Sequence, residues 1–259
     1  MKIGVGVYWE KFNSHRAFYM DHYDCIEIQD FIMPDNLDSN RQRRVNQYGE
    51  ALRNYQGLRT IHGPYIDLEP ISFDPYIQEA SCNRYKQCLE VAAELDCGIM
   101  VIHSSYDPIK SYGGYEEYFL EENIKFWKTL IKAFEEKKIL AVIENVHDSN
   151  YKLIKSIVEQ INSPYLGACL DTGHAHALVK TDVLDWLEGY RSYLKYIHIN
   201  DNNGELDQHL PIGEGNINFK AFFERLKEIG YRGIVTNEIS GGRTEQERNL
   251  EQLRRYLNN

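Results

Sequence analysis

The chain has 259 residues, 42% of them hydrophobic, and a formal net charge of −10. That is enough apolar material for a full core, and the acidity argues against broad, non-specific nucleic-acid affinity. Five scattered cysteines (Cys25, Cys82, Cys88, Cys97, Cys169) form no C-x-x-C pair, and no apolar run approaches the roughly 18 residues of a membrane span, so a disulfide framework and a membrane protein are both excluded.

The opening "MKIGVGVYWEKF" lacks the apolar core of a signal peptide, which predicts a soluble protein of the reduced cytoplasm. The first strand reads "KIGVGVYW" (Lys2 to Trp9), followed by a short helical stretch, "FNSHRAFYMDH". Next come "YDCIEIQD" (Tyr23 to Asp30), a helix whose basic run Arg41 to Arg44 reads as a solvated face, and "LRTIHGPY" (Leu58 to Tyr65). "SCNRYKQCLEVAAELD" sets Tyr85, Cys88, Leu89, Ala92 and Leu95 on one helical face before the strand "GIMVIHSS" (Gly98 to Ser105). "EENIKFWKTLIKAFEEKK" does the same with Ile124, Trp127, Leu130, Ile131 and Phe134, leading into "ILAVIENV" (Ile139 to Val146). The strand "LGACLDTG" (Leu166 to Gly173) precedes a helix with Thr181 as its expected N-cap. "YIHIND" (Tyr196 to Asp201), the helix "NFKAFFERLKEIG" with Gly230 as C-cap, and "GIVTNEIS" (Gly233 to Ser240) complete the chain.

Eight strand–helix alternations with no linker predict one (β/α)8 TIM barrel over residues 1–259, because parallel strands need helical crossovers. An open doubly wound sheet is the second choice; it lacks a G-x-G-x-x-G after the first strand.

Barrel active sites sit at the C-terminal ends of the strands. There the sequence places His62, His103, Glu144, Asp171 with His174 beside it, His198 and Glu238, and the loop after His198 adds Asp207 and His209. A single histidine at a strand end is ordinarily a hydrogen-bonded structural residue. A carboxylate inside an apolar strand such as "AVIENV" is costly unless paired or bound to metal. Six strands delivering His, Asp or Glu to one rim predict a divalent-metal site of imidazole and carboxylate ligands, without thiolate. Cys169 lies deeper and is expected to pack. Tyr8 and Trp9, with Phe31, are candidates to stack on a substrate ring, and Arg243 after "SGG" is a candidate phosphate contact.

The pieces "HGPY", "VIHSS", "VIENV", "CLDTGHA", "HINDN", "DQHLPIGEGNI" and "NEI", taken in order, resemble the xylose isomerase-like superfamily of TIM barrels over essentially the whole chain. That superfamily holds sugar isomerases, sugar epimerases and the endonuclease IV type of abasic-site nuclease. In the isomerases and epimerases the resemblance implies one divalent cation (Mn2+ or Zn2+ first, Mg2+ or Co2+ next) held by Glu144, Asp171, His198 and Glu238. Glu144 and Glu238 would exchange protons with a sugar or sugar phosphate through a metal-stabilised enediolate, and His174 would contact substrate. In the nuclease branch, His62, His103, His174, Asp207 and His209 join these four around three zinc ions, and the substrate is DNA at abasic sites.

Both branches show departures. "SSYDP" stands where the nuclease pattern has His-Pro-Gly, and the loop Asp201 to Gly215 has neither Lys nor Arg to meet phosphates. For the ketose epimerases, Asn150 stands in place of a glutamate, and "NDNNG" lacks an expected arginine. The reading that results is a metal-dependent sugar or sugar-phosphate isomerase/epimerase, with nuclease activity as the alternative and the oligomeric state open.

Overall fold

The computed structural model describes residues 1–110 and 113–258. Eight parallel strands close on themselves in chain order: β1 (Lys2–Val7), β2 (Cys25–Ile28), β3 (Leu58–His62), β4 (Ile99–His103), β5 (Leu140–Glu144), β6 (Leu166–Asp171), β7 (Leu194–Ile199) and β8 (Ile234–Asn237). β1 pairs with β8 from Lys2 opposite Ile234 to Val5 opposite Asn237, which completes the (β/α)8 barrel. The crossovers are α1 (Trp9–Ser14), α2 (Arg16–His22), α3 (Pro34–Leu37), α4 (Arg41–Ala51), α5 (Pro75–Glu94), α6 (Tyr115–Lys137), α7 (Lys152–Ile161), α8 (Val183–Tyr190), α9 (Phe219–Glu228) and α10 (Arg243–Asn258).

Strand side chains alternate between two environments, as a period of two requires. Val5, Ile26, Ile61, Ile102, Ile143, Leu170, Ile197 and Val235 point outward into the main core against the helices. Each such fully buried side chain contributes about 1.5–3 kcal/mol relative to exposure. The alternate set, Cys25, Val101, Val142, Cys169, Tyr196 and Ile234, forms a separate apolar floor inside the barrel. Tyr196 Oη donates to Thr60 Oγ1 at 2.9 Å and accepts from Thr236 Oγ1 at 2.6 Å, so the one phenol on that floor is satisfied.

Several boundaries differ from the sequence expectation for local reasons. β1 stops at Val7 instead of running through Trp9, because the Trp9 N–H donates to Asp30 Oδ2 (2.7 Å) and starts α1. The expected single helix from Phe12 is two short ones, α1 and α2, broken at His15. Asp182, not Thr181, caps α8: its carboxylate accepts the Leu184 N–H, while Thr181 Oγ1 accepts the Trp186 indole N–H at 2.7 Å. α5 begins at Pro75, six residues before the expected start, with Asp74 accepting the Tyr76 N–H. The run Arg41 to Arg44 is not wholly a solvated face, since Arg44 is buried with Nε 3.1 Å from Asp30 Oδ1. No helix of the described residues is long and apolar enough to cross a membrane.

Candidate metal centre

Two residues above the apolar floor, the same inward positions become polar. Cys25 is followed by Glu27, Thr60 by His62, Val101 by His103, Val142 by Glu144, Cys169 by Asp171, Tyr196 by His198, and Thr236 by Glu238. The pleat alone therefore delivers seven ionisable side chains to one level at the C-terminal mouth. β1 contributes Gly4 and Gly6 to this series and leaves room on its side. Above lies a cavity of ≈380 Å³ bounded by Tyr8, Gln29, Tyr65, Glu144, His174 and Glu238, among others.

The deeper side chains converge closely. His198 Nδ1 lies 2.9 Å from Glu144 Oε1 and 3.1 Å from Glu238 Oε2. Glu144 Oε2 lies 3.3 Å from His62 Nε2 and 3.4 Å from His103 Nε2. Asp171 is fixed by the His174 N–H (2.7 Å, to Oδ1) and the Asn200 side-chain amide (3.1 Å, to Oδ2). Asn200 reaches it because position 173 is glycine; a Cβ there would stand 1.9 Å from Asn200 Oδ1. A second group forms nearer the solvent, where Asp207 Oδ2 lies 3.0 Å from His209 Nε2 and 3.3 Å from His174 Nε2.

The imidazoles are oriented as ligands are. His62, His174 and His209 each place Nδ1 against a backbone carbonyl, of Gly63, Asn145 and Glu238 respectively, and so present Nε2 to the cavity. Three sets of donor atoms lie within 4.8 Å of one another: Glu144, Asp171, His198 and Glu238; His62, Glu144 and His198; and His174, Asp207 and His209. The carboxylate oxygens Glu144 Oε2 and Asp207 Oδ1 are buried without a hydrogen-bond partner. Convergent nitrogen and carboxylate donors with unsatisfied buried oxygens fit divalent cations.

Electrostatics separates the two glutamates. Burial pushes the Glu238 carboxyl up to about 7, with His198 opposing. Burial acts the same way on Glu144, but His198 and His103 outweigh it and hold that carboxyl well below its usual range. Burial drives His103 down to about 3, against the pull of Glu144, so this ring is a neutral donor.

Of the residues singled out in the sequence, Glu144, Asp171, His198, Glu238, His62, His103, His174, Asp207 and His209 are all brought together here. Tyr8 borders the cavity. Trp9 does not: its ring packs edge-on against Tyr48, with centroids 5.1 Å apart, beneath the Arg44 guanidinium. Phe31 is fully buried and cannot stack on a ligand. Arg243 turns away, its Nε 2.7 Å from Glu247 and its guanidinium over the Phe18 ring, so the phosphate contact expected of it is not formed by this geometry. The only lysine or arginine bordering the cavity among the described residues is instead Lys11. Sequence reading also missed Glu27, Gln29 and Tyr65; the Tyr65 ring stacks on His103 at 4.1 Å. Glu27 carried the same signal as Glu144, a carboxylate within an apolar strand.

A probable endonuclease 4 of Aquifex aeolicus is 25% identical over 248 residues, 87% of this chain and 79% of that protein. A solved D-tagatose 3-epimerase-like protein superposes with a TM-score of 0.83 at 28% identity, covering 100% of this chain and 97% of that one. An uncharacterised protein of Methanocaldococcus jannaschii is 31% identical over 222 residues, 83% of this chain and 75% of the relative. The family model described as a xylose isomerase-like TIM barrel matches residues 21–259, and the chain belongs to that family.

Proposed function

We propose that the protein is a divalent-metal-dependent isomerase or epimerase acting on a sugar or sugar phosphate. One observation carries the reading: Glu144 and Glu238, from strands far apart around the barrel, flank His198 Nδ1 at 2.9 and 3.1 Å. Glu144, Asp171, His198 and Glu238 would hold the cation, which when bound supplies charge stabilisation for oxygens of the reacting substrate. Glu144, held ionised, is the group that removes a proton from the carbon beside the substrate carbonyl. Glu238, on the other side of His198 Nδ1, is the group that returns one. Return to the opposite face of the same carbon inverts it; return to the neighbouring carbon moves the carbonyl. Tyr8 and Tyr65 wall the cavity, and Lys11 offers a cation to a phosphorylated substrate. The epimerase-like structural relative supports this reading.

The test is turnover of ketoses, aldoses and their phosphates in deuterated water with Mn2+ or Zn2+ supplied. Deuterium entering at the carbon next to the carbonyl is the expected result. Conversion without any deuterium would replace proton transfer by a hydride shift within the same reaction class.

A second reading has its own observation. The complete His174, Asp207 and His209 group and the endonuclease 4 relative favour phosphodiester hydrolysis at abasic sites with further zinc ions. The loop Asp201 to Gly215 supplies no Lys or Arg for a duplex. Salt-sensitive cleavage of an abasic duplex, with no sugar turned over, would put this reading first.

A further inference from the structure

We propose that Glu27 is a positioning residue that fixes the His198 ring so that Nδ1 faces the cation site, and that through Gln29 it also sets the Glu238 carboxylate. The inference rests on the cation site proposed above.

Glu27 lies in the middle of β2, fully buried, and is not among the residues that border the cavity. It therefore has no direct access to substrate. Its Oε2 accepts the His198 Nε2–H at 2.9 Å, and its Oε1 accepts from Gln29 Nε2 at 3.3 Å. The same Gln29 nitrogen donates to Glu238 Oε1 at 2.6 Å. One carboxylate thus reaches two members of the deep group, His198 directly and Glu238 through one amide.

His198 is turned opposite to its neighbours. His62, His174 and His209 give Nδ1 to a carbonyl and present Nε2, whereas His198 has Nε2 tied and Nδ1 presented to Glu144 and Glu238. The cause lies in the barrel. His198 points to the axis from β7, and the strand carbonyls around it are engaged in the parallel ladder. The second nitrogen is met by a side chain from across the barrel, and β2 supplies it. Gly6 completes the arrangement: a Cβ there would stand 2.6 Å from Gln29 Nε2, so the bare β1 position is what lets Gln29 cross to Glu238. A carboxylate on the far nitrogen of a ligand histidine fixes its tautomer and raises its basicity, and its loss typically lowers metal affinity about 10–100-fold.

The experiment measures Zn2+ dissociation constants on the full chain by competition with a chromophoric chelator, with thermal melts recorded in excess chelator. Glu27→Met removes the acceptor, Glu27→Gln keeps an acceptor without charge, and Gln29→Leu cuts only the arm to Glu238. The expected result is a graded loss of affinity at the tight site, about 10–100-fold for Glu27→Met and less for the other two. The metal-free melting temperature of Glu27→Met should fall, because the buried His198 Nε2–H loses its acceptor. A purely structural Glu27 would lower the melting temperature while leaving wild-type affinity, and that outcome overturns the proposal. Should Glu27→Met fail to fold, wild-type affinity in both Glu27→Gln and Gln29→Leu overturns it equally. Wild-type affinity in His198→Ala would instead overturn the cation site itself, and the inference with it.

Discussion

His198 and His209 each meet a carboxylate at the same end of the barrel, yet different backbone carries them. His198 rides on β7, held on both sides by parallel neighbours, and is fully buried. His209 sits in a loop at φ 49°, a left-handed conformation that costs a non-glycine residue roughly 1–2 kcal/mol, and is fixed by its ring bond to the Glu238 carbonyl. The deep group inherits its geometry from the pleat of the sheet. The outer group must be organised by its own loop. Asp201 does that: its carboxylate accepts the N–H groups of Asn202, Gly213, Gly215 and Ile217 at 2.9–3.1 Å, and its backbone pairs both ways with Leu210 at 2.8 Å. A loop rich in metal-ligand residue types thus divides its labour, with Asp201 building the turn and Asp207 and His209 facing the cavity.

The largest effect should come from the deep group. Glu144→Gln or Glu238→Gln is expected to lower kcat by about 10²–10⁴, the usual weight of general acid–base catalysis, while circular dichroism still reports a folded barrel. Near-normal turnover in both variants would remove the proton-transfer roles.

Asp201→Ala breaks the comparison from the other side. Four backbone donors would lose a charged acceptor, for a loss of about 2–4 kcal/mol in urea unfolding, since bonds to charged groups are worth more than neutral ones but are not additive. Equilibrium dialysis should show the cation of Glu144, Asp171, His198 and Glu238 retained, and His174, Asp207 and His209 holding none. Wild-type stability and wild-type metal content together would mean that the loop is held by something other than Asp201.

Asp148 sharpens the contrast, because it is a buried carboxylate without a histidine in hydrogen-bond contact. It accepts from Ser104 Oγ at 2.6 Å and from the Val146 N–H at 3.1 Å, and Tyr115, His174 and Tyr190 are the titratable groups that sense its charge. Burial raises its carboxyl from 3.8 to about 6. The folded chain therefore holds this proton more tightly than the unfolded chain. The stability it contributes is present below pH 3.8 and is lost as pH rises to about 6. Asp148→Asn stays neutral throughout, so the variant should gain on the wild type across that window. The gain should level off at about 2–3 kcal/mol above it. Chelator-treated protein melted from pH 4 to pH 8 would show it; a constant difference would mean that Asp148 is not protonated in that range.

Much of this was legible before the structure. Period-two alternation in strands such as "VIENV" and "YIHIND" marks which residues share a face, and the strand-borne ligands follow from it. The loop-borne ligands and the crossing contacts were less legible. Trp9 looked like a strand end because nothing local reveals that Asp30, distant in sequence, captures its N–H. Arg243 looked like an anion site because its partner Glu247 becomes a neighbour only once α10 forms. Glu27 was readable in principle, as a charge inside "CIEI". Its partner on β7, however, is set by barrel closure, which no local pattern encodes.

The smallest predicted effect concerns the mouth, where Lys11 replaces Arg243 as the candidate anion contact. Burial lowers the Lys11 pKa, partly offset by the Glu245 carboxylate, so the amine sits in a partly desolvated position where an incoming anion would be favoured. Lys11 borders the cavity, and no hydrogen bond or ion pair among the described residues joins it to Glu144 or Glu238, so it should act on binding rather than on proton transfer. Lys11→Met should raise KM for a phosphorylated substrate about tenfold, roughly 1.4 kcal/mol, with kcat little changed, and should leave a free sugar unaffected. Arg243→Met should alter neither, since its guanidinium is committed to Glu247 and Phe18. An equal KM change for free and phosphorylated sugars would reduce Lys11 to a wall of the cavity, and a change in Arg243→Met alone would return the anion contact to the start of α10.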